Sequence, residues 1–233
     1  MFARNRQTAA GATTATPTHQ EVPLGTTQRI VGARLQESQR NAPHFYLQTS
    51  FNAEPMAAAR ESQAGQIVWD ALVVKAVAAA LEAFPQMRCR MEGEKLVRRP
   101  AVAVGVAVDV DDELFVVPLE DPGSQDACAI SEAIRAGVEK IRRGDGDARK
   151  LKPAEITVTN LGGAGVDMFL PIINPPEASI LSLGMIRPMV IAEEGQIKIQ
   201  RRANLSLAVD HRIVNGKYAA RFLSAIVSQL ESL

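Results

Sequence analysis

The sequence predicts an α/β (α+β) domain, and three stretches carry that expectation. Residues 67–84 set Trp69, Leu72, Val73, Ala76, Val77, Ala80 and Leu81 on one broad apolar helical face, which Pro85 ends. Residues 101–108 are continuously apolar and β-branched, the pattern of a central strand. In residues 204–209, Leu205, Leu207 and Val209 alternate with Asn204, Ser206 and Ala208, the period of a half-buried strand. After Asp210-His211-Arg212 the period changes to that of a helix, with Tyr218, Ala219, Phe222, Leu223, Ile226, Val227 and Leu230 on one side.

The other elements follow in chain order. Residues 1–21, rich in Ala and Thr and without periodicity, are expected to be a disordered tail, the end of an interdomain linker or, less in keeping with the composition, a targeting stretch. A helix capped at Thr26 or Thr27 should run through Leu35 and Ser38 to about Asn41, because Pro43 disfavours helix in the residue before it. Residues 44–51 alternate as a strand. Residues 90–99 read as a hairpin around Glu92-Gly93-Glu94, and 114–119 as a strand after the acidic turn at Asp109 to Glu113. Ser124 can cap a helix to about Arg143 with Ile130, Ile134, Val138 and Ile141 inward. A strand from Ile156 enters the glycine-rich bend at Gly162-Gly163-Ala164-Gly165, and a further strand ends near Leu183. Residues 189–192 and 197–200 form a hairpin about Gly195.

Composition narrows the functional classes. The 233 residues hold 26 Lys plus Arg against 26 Asp plus Glu, so no charge excess points to nucleic acid or an anionic membrane. No apolar run reaches the ~18 residues of a membrane helix. Cys89 and Cys128 supply neither a disulfide framework nor metal-ligand spacing, so reduced thiols and a cytoplasmic setting are expected, with no metal and no nucleophilic cysteine. The glycine bend lacks the Gly-Lys-[Ser/Thr] of a phosphate loop.

His211, on a turn between a strand and a helix, is the candidate for chemistry. A lone histidine in a turn is more often a hydrogen-bonded structural residue, and Asn215 reads equally well as a helix N-cap. The pattern Asp-His-Arg-x-x-Asn-Gly, at 210–216, resembles the signature of the dihydrolipoamide acyltransferases, the core subunits of 2-oxoacid dehydrogenase complexes, although the usual residue at 215 there is Asp. Chloramphenicol acetyltransferases share that fold and histidine. Two further stretches carry the resemblance. One is Pro23, Leu24, Arg29, Arg34, Leu35 and Ser38 with Pro43-His44-Phe45; the other is Thr159-Asn160-Leu161-Gly162 followed by Ile173-Asn174-Pro175-Pro176. The approach to the second loop is shorter than the family's and lacks its Gly-Gly-x-Phe.

The resemblance covers residues 22–233 and implies a catalytic domain with the chloramphenicol acetyltransferase-like two-layer sandwich, assembled as a trimer. It implies transfer of an acyl group between a dihydrolipoyl thiol and coenzyme A, the lipoyl group being supplied by another domain or chain. His211 is then the general base, Thr159 the oxyanion donor, and Asn215 a polar partner of the base. Asp210 or Arg34 would buttress the turn, and His44 would be structural. Base and hydroxyl would come from neighbouring chains. The stretch that in larger members joins trimers into cubes is not evident after residue 230, so a trimer is expected. The alternatives are a stand-alone acetyltransferase acting on a small acceptor and a non-catalytic core or assembly subunit.

Overall fold

The computed structural model describes residues 22–99, 101–150, 152 and 154–233; the tail expected over residues 1–21 lies outside them. In chain order the elements are α1 (Thr26–Asn41), β1 (His44–Asn52), α2 (Glu54–Ser62), α3 (Trp69–Ala83), β2 (Cys89–Glu92), β3 (Lys95–Arg98), β4 (Ala103–Val110) and β5 (Glu113–Glu120). There follow α4 (Ala127–Arg142), β6 (Ile156–Asn160), β7 (Ser179–Leu183), β8 (Arg187–Glu193), β9 (Gln196–Asp210) and α5 (Gly216–Glu231).

Seven strands form one mixed sheet in the order β1-β9-β7-β6-β4-β5, with β8 on the first half of β9; β2 and β3 form a separate hairpin. β4, β6 and β7 run parallel, and the other pairings are antiparallel. One face is aliphatic: Val104, Val106, Ile156, Val158, Leu181, Leu183, Leu205 and Leu207 pack in one core with Leu72, Val73, Val77 and Leu81 of α3 and Phe222 and Ile226 of α5. These side chains are almost wholly out of water, so Leu81→Ala or Phe222→Ala should each cost about 3–5 kcal/mol. The opposite face presents small or hydroxyl residues, among them Gly105, Ala107, Thr157, Thr159, Ser182 and Ser206. It carries only a minor cluster of Ile173, Ile180 and Ala208, with Tyr46 against it.

Several boundaries differ from the sequence reading for local reasons. The cap of α4 is Asp126, whose carboxylate accepts from Ala129 N at 2.8 Å; Ser124 sits in the preceding 3-10 turn and bonds Asp121 O. Gly25 stands at the N-cap of α1 with no side-chain cap, so Thr26 and Thr27 are already helical. The acidic turn is a tight hairpin in which Asp111 and Asp112 both take positive φ, 56° and 62°. Residues 196–210 form one strand rather than two, whose first half pairs with β8 and second half with β7. The hairpin of β8 and β9 leaves Val190, Ile197 and Ile199 exposed at 70%, 81% and 76%.

Candidate active site

β9 delivers His211 to one end of the sheet. Asp210 N bonds Ala178 O at 2.8 Å, His211 N bonds Pro43 O at 3.0 Å, and Asp210 O accepts from Ile213 N and Val214 N. This closes the turn before α5. Asp210 is buried, and both its oxygens are taken by Arg212: Nε donates at 3.0 and 3.1 Å and Nη2 at 2.6 Å. The carboxylate holds the Arg212 guanidinium above its ordinary pKa. Asp210 therefore secures the turn through Arg212 and does not bond the imidazole.

The imidazole is exposed and meets one aromatic neighbour. Phe45 stands edge-on to it, ring centroids 5.2 Å apart and planes at 89°. The far edge of the same ring lies against Gly216, where an added Cβ would come within 3.1 Å of Phe45 Cε1. Gly216 thus leaves room for the ring that flanks the histidine. Asn215 caps α5, its Oδ1 accepting from Tyr218 N at 3.0 Å.

Thr159 is near the end of β6, at the other end of the sheet. Its register partner on β7 is Ser182, which in turn faces Ser206 on β9. His211 lies five residues beyond Ser206, on the side away from the end of β6. At about 3.4 Å per residue and about 4.8 Å per strand spacing, hydroxyl and imidazole are on the order of 20 Å apart within one chain. One chain cannot bring them to a single substrate atom.

Thr159 lines a cavity of about 170 Å³ between α1 and the sheet, together with Val31, Leu35, Ala107, Val116 and Ile180. Its hydroxyl has no hydrogen-bond partner among the described residues. Beyond Thr159, Asn160 fixes the glycine bend: Oδ1 accepts from Gly162 N at 2.8 Å and Nδ2 donates to Asp70 Oδ2 at 3.4 Å. Burial raises the Asp70 carboxyl above its ordinary pKa, partly offset by that bond.

Arg34 does not reach the histidine turn. Its Nη2 donates to Asn174 Oδ1 at 3.3 Å and to Pro175 O, clamping α1 onto the segment before β7. Behind that clamp lies Glu177, whose Oε1 accepts from Thr157 Oγ1 and Asn174 Nδ2 at 2.9 and 2.8 Å while Oε2 is buried without a partner. Burial pushes its carboxyl up to about 8, so it is largely neutral at pH 7. His44 is structural: Nδ1 bonds Ala42 O at 2.7 Å and Nε2 accepts from Ile173 N at 3.0 Å, which fixes a neutral tautomer. Cys89 and Cys128 are free and half-buried, on β2 and α4. Among the described residues there is no metal-ligand cluster and no helix long and apolar enough to cross a membrane.

Sequence reasoning had placed Phe45 only within a motif; its contact with His211 is made across the sheet edge and has no local signal. Glu177 directly follows the Ile173-Asn174-Pro175-Pro176 motif and has no signal of its own in the sequence.

The fold is that of the chloramphenicol acetyltransferases: a structure so named covers 90% of this chain and 95% of its own at a TM-score of 0.53 and 12% identity. More specifically, residues 16–233 match the model of the 2-oxoacid dehydrogenases acyltransferase (catalytic domain), and the chain belongs to that family. It is 32% identical over 91% of its length to the lipoamide acyltransferase component of the branched-chain alpha-keto acid dehydrogenase complex of Pseudomonas aeruginosa, and spans 52% of that protein. The chain thus spans about half the length of the curated relatives it matches. Among solved structures, the cubic core of a pyruvate dehydrogenase multienzyme complex superposes at a TM-score of 0.85 with 28% identity, over 92% of both chains. The dihydrolipoamide acetyltransferase (E2p) of Azotobacter vinelandii superposes equally well at 27% identity, again over 92% of both chains. That structure comes from an investigation of a serine, a histidine and an asparagine in its catalytic mechanism.

Proposed function

We propose that this chain is the catalytic domain of a dihydrolipoamide acyltransferase, moving an acyl group between a dihydrolipoyl thiol and coenzyme A. The observation that carries this is the pairing of an exposed, scaffolded imidazole with an unpartnered hydroxyl lining a cavity. The three residues named for the Azotobacter enzyme are separated by 52 and then four positions, the same intervals as Thr159 to His211 and His211 to Asn215. Here a threonine stands where that enzyme has serine, and the hydroxyl is preserved.

Little of a thiol with pKa near ~8.5 is ionised at neutral pH, so the attacking sulfur needs a base. His211, neutral, takes its proton as the sulfur attacks the thioester carbonyl. The tetrahedral oxyanion accepts a hydrogen bond from Thr159. Collapse of that intermediate expels the second sulfur, which recovers the proton from the imidazolium. Both thiol substrates are present at once, and no covalent enzyme intermediate or metal is invoked.

The separation of about 20 Å within a chain supports a site assembled from two chains, the His211 of one protomer facing the Thr159 of the next. A homotrimer forms three such sites. The lipoyl group arrives on another domain or chain, and the other components of a 2-oxoacid dehydrogenase complex are the expected partners.

The test is incubation of acyl-coenzyme A with dihydrolipoamide, with free coenzyme A and S-acyl-dihydrolipoamide separated by chromatography. Chloramphenicol serves as a parallel acceptor. Acyl-dihydrolipoamide formation is expected; acylation of chloramphenicol alone would shift the assignment to a small-acceptor acetyltransferase, and no product in either arm would leave an assembly subunit.

A further inference from the structure

We infer that the cavity beneath α1 receives the acyl chain, and that it selects an uncharged aliphatic acyl group of about four or five carbons. The inference rests on the proposed acyl transfer and on the placement of Thr159 among the residues that line the cavity. A thioester whose carbonyl oxygen accepts from Thr159 has two substituents, sulfur and the acyl tail. The sulfur must face the histidine of the neighbouring chain, so the tail is directed the other way, under the helix.

What lies there is a partly open, mainly apolar space. Val31 and Leu35 of α1 form one side; Ala107, Val116 and Ile180 of the sheet form the other. At about 30 Å³ per water-sized group, about 170 Å³ holds roughly five such groups. An acetyl methyl would leave most of that space empty, whereas an isovaleryl tail would fill it.

A carboxylate-ended tail fits poorly. Arg34 is the one charged residue lining the cavity, and its Nη2 is committed to Asn174 Oδ1 and Pro175 O. A succinyl carboxylate would lose its water among Val31, Leu35 and Ile180. Ala107 sets the depth, because a longer side chain at that position on β4 would project into the space.

The experiment measures kcat/KM for acetyl-, isovaleryl- and succinyl-coenzyme A with dihydrolipoamide, using the intact chain, its Ala107→Leu variant and its Leu35→Ala variant. The natural chain should favour isovaleryl over both others by about 10-fold or more, in line with the selectivity an apolar pocket gives for a few methylenes. Ala107→Leu should move the isovaleryl-to-acetyl ratio toward acetyl by a similar factor. Leu35→Ala, on the partly exposed α1, should move the optimum toward a longer chain such as hexanoyl and keeps the inference testable if Ala107→Leu does not fold.

Transfer with equal rates for all three thioesters, preference for succinyl, or variants that lower every acyl group by the same factor would overturn the inference and leave the proposed function standing. A preference that vanishes when a short dithiol lacking the lipoyl arm replaces dihydrolipoamide would assign the cavity to the carrier arm and also overturn it. Absence of transfer with every thioester would sink the proposed function, and this inference with it.

Discussion

The imidazole of His211 stands edge-on to Phe45, and the same phenyl ring occupies the space that a Cβ on Gly216 would need. Phe45 of β1 thus flanks the candidate base and is itself backed by Gly216 of α5. Phe45→Ala should reduce kcat well below the natural chain's with little change in the melting temperature, since Phe45 is 38% exposed. Gly216→Ala should do the same by displacing the phenyl ring, while helix α5 is retained. Circular dichroism melts alongside acyl-transfer kinetics would check both.

His211→Ala should lower turnover about 10²–10⁴-fold, and Thr159→Val about 10²–10³-fold. Thr159→Ser should keep most activity because only the hydroxyl is used. Each of the first two variants leaves the other half of the site intact. Co-refolding them should therefore restore part of the lost activity in mixed assemblies, which a site contained in one chain could not show.

Asp210→Asn leaves the buried turn without a charged acceptor for Arg212, whose side chain can still reach water. A loss of about 1–3 kcal/mol in urea unfolding is expected. Asn215→Ala should cost about 1 kcal/mol through the lost cap of α5, and Asn215→Asp should preserve the cap.

Glu177 makes stability depend on pH. Its folded carboxyl titrates near 8, above the ordinary 4.5, so between those values the folded chain holds a proton that the unfolded chain has released. The stability this proton confers is complete below about pH 4.5 and is lost as pH climbs through 8. Glu177→Gln should remove that slope. Unfolding free energies from urea titrations at pH 5, 7 and 9 should diverge between the two chains by on the order of a few kcal/mol by the highest pH.

How much of this was legible in the sequence follows from which forces are local. Periodicity placed α3, α4, α5 and β4 to within a few residues, because each buries one continuous apolar face or run. α2 passed unread: its nine residues offer only Met56 and Ala57 as buried side chains and carry Pro55 in the first turn. The single strand β9 was read as two, since Gln200, Arg201 and Arg202 interrupt the alternation while the backbone continues. At the candidate site, Thr159, His211 and Asn215 are proposed from motif spacing. The remaining features arise where distant segments meet: Arg34 clamping Asn174, Phe45 flanking His211, and Glu177 under Thr157. No local pattern encodes those meetings.

A continuous sheet keeps His211 and Thr159 of the same polypeptide at a constant remove, so in the proposed two-chain site the only adjustable distance is the one across the protomer boundary. Function should accordingly fail before folding does. Mild denaturant or dilution is expected to silence catalysis while the circular dichroism of each protomer is unaltered, and reconcentration should bring it back.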